Sequence, residues 1–573
     1  MKRRSFLKKL PIVAGIPFAL GGIPLKAMGA NPLSRLARLS NNGRVLIILQ
    51  LHGGNDGLNM LIPVEQYDLY YSRRANIAIP AKNSLRKYIP LDSTLPSDTQ
   101  IGLHPDMTAI KGMYDSGRVA FVQGVSYKNN NGSHFRGRDI WFMGGGADDY
   151  YPSGWVGRYL QKEFEELGQY PEDFPNDQML DPLGIEMGSD VSLIFHQQGN
   201  IPTSISLDNV AQFAELVDTL QGFQDIEIDP RGKPPALVEN SPYWKELNWI
   251  LGLEQKSDDY AQRLYDVWTA GGGGTPNGGT SVVYPEVYPF NAPNGSKRNN
   301  LSGQLKLIAQ LLAGGCQTKV FMVKIGGFDT HAEQTTNYDP TMGSHAALMY
   351  HISSAMKAFQ DDLRSRGIED KALTVTTSEF GRRVHSNGSY GTDHGTGGPI
   401  MIFGRGANPG VVGKVPNMNL NNIEMQYDYR QVYANILKDW MEVDQAVITN
   451  DIFFGNFIDG PREEGGNYEP LPLAKSVITG NDHFIAERYS LAQCHPNPAK
   501  SFTTISFQVN HELPVTINLF DSRGEQIRTL LNQTFSPGHH AVQVQVSDLK
   551  AGVYIYQMKA GSFKDSKKLV VVK

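Results

Sequence analysis

The sequence predicts an α/β domain on a largely parallel sheet, followed by a small all-β sandwich. Two textures predict it. Over residues 43–478 short apolar runs alternate with amphipathic helical stretches, the pattern of strands laid side by side and joined through helices. Over residues 490–573 the apolar residues alternate one by one, at Ile505, Phe507 and Val509, at Val515, Ile517 and Leu519, and at Val542, Val544 and Val546. Period two over short segments separated by turns belongs to half-buried antiparallel strands.

Element by element, residues 45–51 form the first buried strand, and the apolar runs at 119–125, 319–325, 372–377 and 399–403 predict further strands. Helical spacing of apolar residues predicts helices over 301–313, 344–366 and 430–440. The glycine-rich tract at 271–279 predicts a surface loop.

At 573 residues the chain has ample length for a large core and a second unit. Its net charge of -5 is spread without a basic stripe, which argues against nucleic acid as a partner. Cys316 falls in a helix-to-strand turn and Cys494 near the domain boundary, so neither a disulfide framework nor a redox cysteine cluster is present. No dinucleotide fingerprint occurs either.

At the N-terminus Arg3-Arg4-Ser5-Phe6-Leu7-Lys8-Lys9 precedes a mildly apolar stretch broken by Gly and Pro, with Ala27, Gly29 and Ala30 near a plausible cleavage point. This is the layout of a signal peptide over residues 1–30, and the paired arginines resemble the twin-arginine type, which exports chains already folded. A membrane anchor needs about 20 strongly apolar residues, so the mature chain is expected to have no transmembrane segment.

In open α/β sheets the ligand crevice lies beyond the carboxyl ends of the strands, where neighbouring loops diverge. Four polar clusters fall at such ends. In the first, His52-Gly53-Gly54-Asn55-Asp56-Gly57, the glycines permit a sharp turn that aims Asp56 at the crevice, although Asn55-Asp56-Gly57 also reads as a plain turn. The second, Gly326-Gly327-Phe328-Asp329-Thr330-His331, offers a carboxylate and an imidazole that suit zinc, manganese or iron, or else a cap-and-turn arrangement. The third, Thr377-Ser378-Glu379-Phe380-Gly381-Arg382-Arg383, offers Glu379 as ligand or general base and Arg382 as an anion clamp, with an ion pair between the two as the alternative. The fourth, Gly391-Thr392-Asp393-His394-Gly395, carries Asp393 and His394 in a glycine-rich loop where packing seldom needs them. Ser133, in Asn131-Gly132-Ser133-His134-Phe135, opens a helix and reads either as its N-cap or as a nucleophilic or metal-facing hydroxyl.

Two resemblances follow from these residues. In the tail, Cys494-His495-Pro496-Asn497-Pro498-Ala499, Leu519-Phe520-Asp521 with Gly524, and Leu549-Lys550-Ala551-Gly552-Val553-Tyr554 resemble the type A sorting domain of the type IX secretion system, which more often has Tyr where Cys494 stands. This implies export machinery as the partner of both termini, passage through the periplasm, and delivery to the cell surface or medium with removal of the tail.

In the body, Gly53-Gly54-Asn55-Asp56-Gly57, Ser133-His134-Phe135, Gly154-Trp155-Val156-Gly157-Arg158, Gly326 to His331, Ser378-Glu379-Phe380-Gly381-Arg382 and Thr392-Asp393-His394-Gly395 resemble the DUF1501 family, itself similar to the alkaline phosphatase and sulfatase superfamily. The resemblance implies a doubly wound, alkaline-phosphatase-like sheet and one or two divalent ions, drawn from zinc, manganese, calcium or magnesium. On that pattern Asp56, Asp329, His331, Glu379, Asp393 and His394 would hold metal, Ser133 would be the nucleophile, and Arg382 would steady developing charge. The implied function is an exported metal-dependent hydrolase of phosphate or sulfate esters, acting on a small-molecule or glycan-borne substrate. Three departures stand against it. Asp329 and His331 are closer than the Asp-x-x-x-His of the phosphomutases, Glu379-Phe380 stands where many relatives have Asp-His, and no Cys-x-Pro-x-Arg motif occurs. The last two favour the alternative, a degenerate surface binding or assembly protein on the same fold.

Overall fold

The structure, a computed structural model, describes residues 19–20, 23–24, 43–82, 84–189, 191–207 and 260–475, and in the tail 490–491, 493–509, 513–521, 525–535, 538–560 and 563–572. Nearly all of the expected signal over 1–30 lies outside the described residues. Among the described residues the main sheet has nine strands, β1 Val45–Leu51, β2 Val119–Ser126, β3 Gly184–Met187, β4 Ser204–Leu207, β5 Val320–Ile325, β6 Ala372–Thr377, β7 Gly398–Phe403, β8 Gly410–Val412 and β9 Tyr427–Asp428. Their order is β8-β2-β7-β6-β1-β5-β3-β4, with β9 beside β2. All pairings are parallel except those of β7, which runs antiparallel to β6 and β2.

The uninterrupted apolar run of β1 has a direct cause, because both faces of the sheet are covered. Val45, Ile47, Leu49 and Leu51 enter one core with Leu305 and Ile308 of helix α3 (Asn300–Ala313) and Met349, Ile352 and Met356 of α4 (Ser344–Ser365). Leu46 and Ile48 enter the other, with Ile140 of α1 (His134–Met143), Trp155 and Tyr159 of α2 (Trp155–Phe164), and Tyr429 and Tyr433 of α5 (Tyr429–Asp439). Burying each large apolar side chain contributes roughly 1.5–3 kcal/mol. The sheet is therefore doubly wound, as expected. Helix α1 starts at the N-cap Ser133 and stops at Gly144, whose φ of 72° closes the last turn.

The tail packs two antiparallel sheets. One holds Ser490–Leu491, Phe502–Val509 and Gly538–Gln545; the other holds Gln526–Phe535, Leu513–Phe520, Gly552–Ala560 and Phe563–Val571. Ile505 and Phe507 of the first share a core with Val515, Ile517, Tyr556 and Met558 of the second, which accounts for the alternation in the sequence. Cys316 and Cys494 are both buried free thiols. Among the described residues no helix is long and apolar enough to cross a membrane.

Candidate functional site

The parallel strands β1, β2, β5 and β6 end at one edge of the sheet, where the antiparallel β7 begins. Their loops meet there. The loop after β5 carries Asp329 and His331, the loop after β6 carries Glu379, and α1, which follows β2, carries His134 on its first turn. A short hairpin, Arg382–Ser386 with Thr392–His394, sets Arg382 opposite His394.

Three ligand-type atoms converge at this edge. His134 Nε2 and His394 Nε2 lie 3.0 Å apart, and each is 3.5 Å from Asp329 Oδ1. Among the described residues this is the one group of three such side chains close enough to share an ion. Donor atoms held by one ion at about 2.0–2.2 Å and tetrahedral angles lie about 3.3–3.6 Å from one another. The ring nitrogens facing away fix the tautomers. His394 Nδ1 lies 2.8 Å from the Gly132 carbonyl and His134 Nδ1 lies 3.3 Å from Glu379 Oε1, so both Nδ1 atoms are donors. In the neutral rings both Nε2 lone pairs then point inward, at each other and at a carboxylate oxygen. Burial holds the His394 ring below the ordinary imidazole pKa against the opposing pull of its Gly132 bond, so it faces the group neutral. Three electron-rich atoms with no proton between them fit a cation, and nitrogen donors braced through their second ring nitrogen are the usual surroundings of one.

The surroundings add to that fit. Glu379 is buried and accepts from the Gly53 amide at 2.9 Å through Oε1, while its Oε2 is buried without a hydrogen-bond partner. Gly53 has a φ of +123°, and a Cβ there would stand 2.4 Å from the Asp329 amide nitrogen, so only glycine lets these loops meet. The Phe380 ring packs at 4.8 Å from the His134 ring and 4.5 Å from that of His394. His331 sits at the rim, half exposed, with Nδ1 2.8 Å from Asp329 Oδ1. Partial burial opposes ionisation of Asp329, but its hydrogen bond and ion pair with Arg382 hold the carboxyl below its usual pKa.

Several expected roles take a different form. Asp56 does not join the group. It is fully buried, and Arg74 grips both its oxygens, each at 2.9 Å. Burial alone would raise its pKa, yet Arg74 keeps it below the ordinary carboxylate range. Arg382 is no anion clamp facing the crevice. Its buried guanidinium donates to the carbonyls of Gly54 at 2.7 Å, Thr392 at 2.9 Å and Phe328 at 3.0 Å, to that of Gly53, and to Asp329 Oδ1 at 2.8 Å. It ties three loops together and aims Asp329. Asp393 faces away from His394, as strand alternation requires, and lies 3.8 Å from Arg383. Ser133 Oγ accepts from the Arg136 amide at 3.4 Å, the N-cap position. The residue that sequence reasoning passed over is His134, although it stands next to Ser133 in the quoted motif. Arg158, from the Trp155 segment, is buried and bonds the carbonyls of Met143, Ser153 and Ile452, so that motif packs α2 against its neighbours.

Two family models match the chain. Residues 289–451 match the family model described as Protein of unknown function (DUF1501), and residues 493–572 match the Secretion system C-terminal sorting domain. No curated protein matches. Among solved structures the chain is similar to an alkaline phosphatase superfamily protein from Vibrio parahaemolyticus, at 8% identity and TM-score 0.28 over 90% of this chain and 88% of that one. It is similar to the lipoteichoic acid synthase LtaP from Listeria monocytogenes, at 10% identity and TM-score 0.28 over 73% and 75%. It also resembles latent PorU from Porphyromonas gingivalis, at 17% identity and TM-score 0.13, where the match takes in 15% of this chain and only 9% of PorU. The tail marks the chain for export by the type IX machinery to the cell surface or extracellular space. Asp329, His331, Glu379 and His394 fall within the residues that match the DUF1501 model, and the tail falls within those that match the sorting-domain model.

Proposed function

We propose that this chain is an exported metal-dependent hydrolase of phosphate or sulfate esters, with a single divalent ion held by His134, His394 and Asp329. The observation that carries the reading is the inward convergence of two imidazole Nε2 atoms and a carboxylate oxygen within 3.0–3.5 Å. Two imidazoles and one carboxylate suit zinc, manganese or iron, whereas calcium and magnesium favour all-oxygen surroundings. When bound, such an ion polarises an ester oxygen and makes a coordinated water more acidic.

The chain's own residues supply the rest. Glu379 and the Gly132 carbonyl hold the tautomers of His134 and His394, and Arg382 keeps Asp329 ionised and aimed. His331, with Nδ1 against Asp329 and its ring open to the crevice, takes a proton at Nε2 from the attacking oxygen and returns it to the leaving oxygen. Ser133, beside His134, is the candidate nucleophile. The ester is borne by a small molecule or a glycan, and the chain reaches the periplasm through its twin-arginine-type signal before the sorting domain directs it outward.

Metal analysis of the purified full chain, with assays on aryl phosphate and aryl sulfate esters, tests the reading. A metal-free protein without hydrolysis, unchanged by His394→Ala, overturns it. Metal bound without turnover of either ester supports the second reading, a surface binding protein, which the commitment of Asp56 and Arg382 to protein partners favours. Ser133→Ala separates two routes: lost hydrolysis with metal retained marks a covalent one, and retained hydrolysis marks direct attack by water. Arg3-Arg4 replaced by Lys-Lys blocks export if the signal is of the twin-arginine type.

A further inference from the structure

Behind the three ligand-type atoms lies a buried polar centre whose hub is Gln334, a residue without exposed surface. Its Nε2 donates to Asp56 Oδ2 at 2.5 Å. Its Oε1 accepts from two hydroxyls, Thr330 at 2.9 Å and Thr392 at 3.0 Å. These partners fix the amide in one orientation, because the nitrogen must face the carboxylate and the oxygen must face the hydroxyls. Asp56 in turn is anchored by Arg74, and Arg74 reaches on to Asn59 at 2.7 Å and to the Val384 carbonyl at 2.8 Å.

The positions joined are telling. Thr330 is the residue between Asp329 and His331, and Thr392 stands two residues before His394 in the same short strand. Asp56 caps the turn that follows β1, where Gly53 supports Glu379. The main chain runs the same way: the Gln334 amide donates to the Tyr390 carbonyl at 2.9 Å, and the Thr392 amide to that of Thr330 at 3.0 Å. One side chain thus bonds all three loops whose relative placement sets the spacing of Asp329 and His394.

We infer that Gln334, seated on the Asp56–Arg74 pair and holding the Thr330 and Thr392 hydroxyls, is a positioning residue that sets the geometry and hence the affinity of the metal centre. This rests on the reading of that centre given above. Asp56 acts here through an amide instead of touching the ion, and Thr330 and Thr392 translate its position to the ligands on either side. A shift of a few tenths of an ångström in either loop changes the 3.5 Å separation of His394 from Asp329, which Arg382 spans from its own side through Asp329 and the Thr392 carbonyl.

The experiment measures the dissociation constant of the full chain for zinc by chelator competition, beside thermal unfolding in excess chelator. Gln334→Met keeps the volume and removes both functions of the amide; Thr392→Val keeps the shape and removes one hydroxyl; Thr392→Ser keeps the hydroxyl. Supporting partners of metal ligands typically govern affinity about 10–100-fold. Gln334→Met and Thr392→Val are expected to weaken zinc binding by about ten-fold or more, with Thr392→Ser close to the parent. Should Gln334→Met fail to fold, the Thr392 pair carries the test alone. Parent-like zinc affinity in Thr392→Val, with lowered unfolding temperature only, makes the network a plain packing device and overturns the inference. A parent chain that binds no zinc, manganese or iron overturns the metal centre itself and the inference with it.

Discussion

His134 and His394 meet Nε2 to Nε2 at 3.0 Å, each with its other ring nitrogen turned to an oxygen acceptor. Neither ring can donate to the other while both are neutral with Nδ1 protonated, so the contact is repulsive until a cation enters it. Zinc is therefore expected to raise the unfolding temperature of the full chain in a concentration-dependent way, with about 2.7 kcal/mol gained at 100 times the dissociation constant. His134→Ala and His394→Ala each abolish that gain. Glu379→Gln keeps an acceptor for the His134 ring but removes the charge, and is expected to weaken binding about 10–100-fold. Calorimetric scans with and without metal check all three.

Two buried histidines give the chain a defined acid sensitivity. Burial pushes His345 down to about 4, with Arg74 and Arg382 acting in the same direction and Asp56 against it, and burial likewise drives His104 far below the ordinary value. Unfolded, both rings take up a proton near pH 6.5; folded, they do not. The stability they contribute is present above pH 6.5 and is lost as pH falls from 6.5 toward about 4. For His345 the loss amounts to about 3 kcal/mol across that window, at about 1.4 kcal/mol per pH unit. Asp56 acts lower, since its depressed pKa supports the fold above pH 3.8 and its share is lost only as pH falls further. His345→Phe is expected to flatten the stability profile between pH 6.5 and 4 by about one proton, read from denaturant midpoints. An unchanged slope refutes the assignment.

The parts of the fold legible in the sequence are those whose signal is local. The run 45–51 reads as a strand because its neighbours bury both faces, and the tail's alternation reads as a sandwich because one face is wet. Strands β3, β4, β8 and β9, of two to four residues, are too short to carry a period. At the site, Asp329, His331, Glu379 and His394 were legible as ligand-type residues beside strand ends. Asp56 misleads because a turn of Gly-Gly-Asn-Asp-Gly looks the same whether its carboxylate meets a metal or an arginine, and Arg74 announces itself by no motif. His134 is masked in the sequence by Ser133, whose N-cap position is the stronger local signal. Period two in the hairpin held the missing clue for Asp393, since it sends Arg382 and His394 inward and Arg383 and Asp393 outward.

That alternation predicts opposite outcomes for adjacent arginines. Arg382→Lys retains charge but loses the fork that spans the carbonyls of Gly54, Thr392 and Phe328 and the Asp329 carboxylate. Buried carbonyls left without donors cost roughly 1–3 kcal/mol each, so a loss of at least about 3 kcal/mol is expected together with weaker metal binding. Arg383→Lys and Asp393→Asn touch a half-exposed pair at 3.8 Å and are expected to change stability by less than about 0.5 kcal/mol, with metal binding unaffected. Urea unfolding and zinc titration of the three variants decide it, and lost binding in Asp393→Asn would restore Asp393 as a ligand.

Asp56→Asn tests the largest difference between the metal role expected for a residue and its place in the structure. A metal ligand at this position would be lost without much effect on the metal-free fold, because an exposed carboxylate in an empty site is dispensable. The paired Asp56 predicts the reverse. Neutralising it leaves the Arg74 guanidinium buried with no counter-charge, and breaking a buried pair from one side costs about 3–5 kcal/mol. The variant is thus expected to unfold at lower denaturant even in chelator. Zinc at saturation should still bind with the parent stoichiometry, although more weakly, since His134, His394 and Asp329 remain in place. A stable variant with reduced stoichiometry would instead place Asp56 in the coordination sphere and require the loop after β1 to release Arg74 when metal binds.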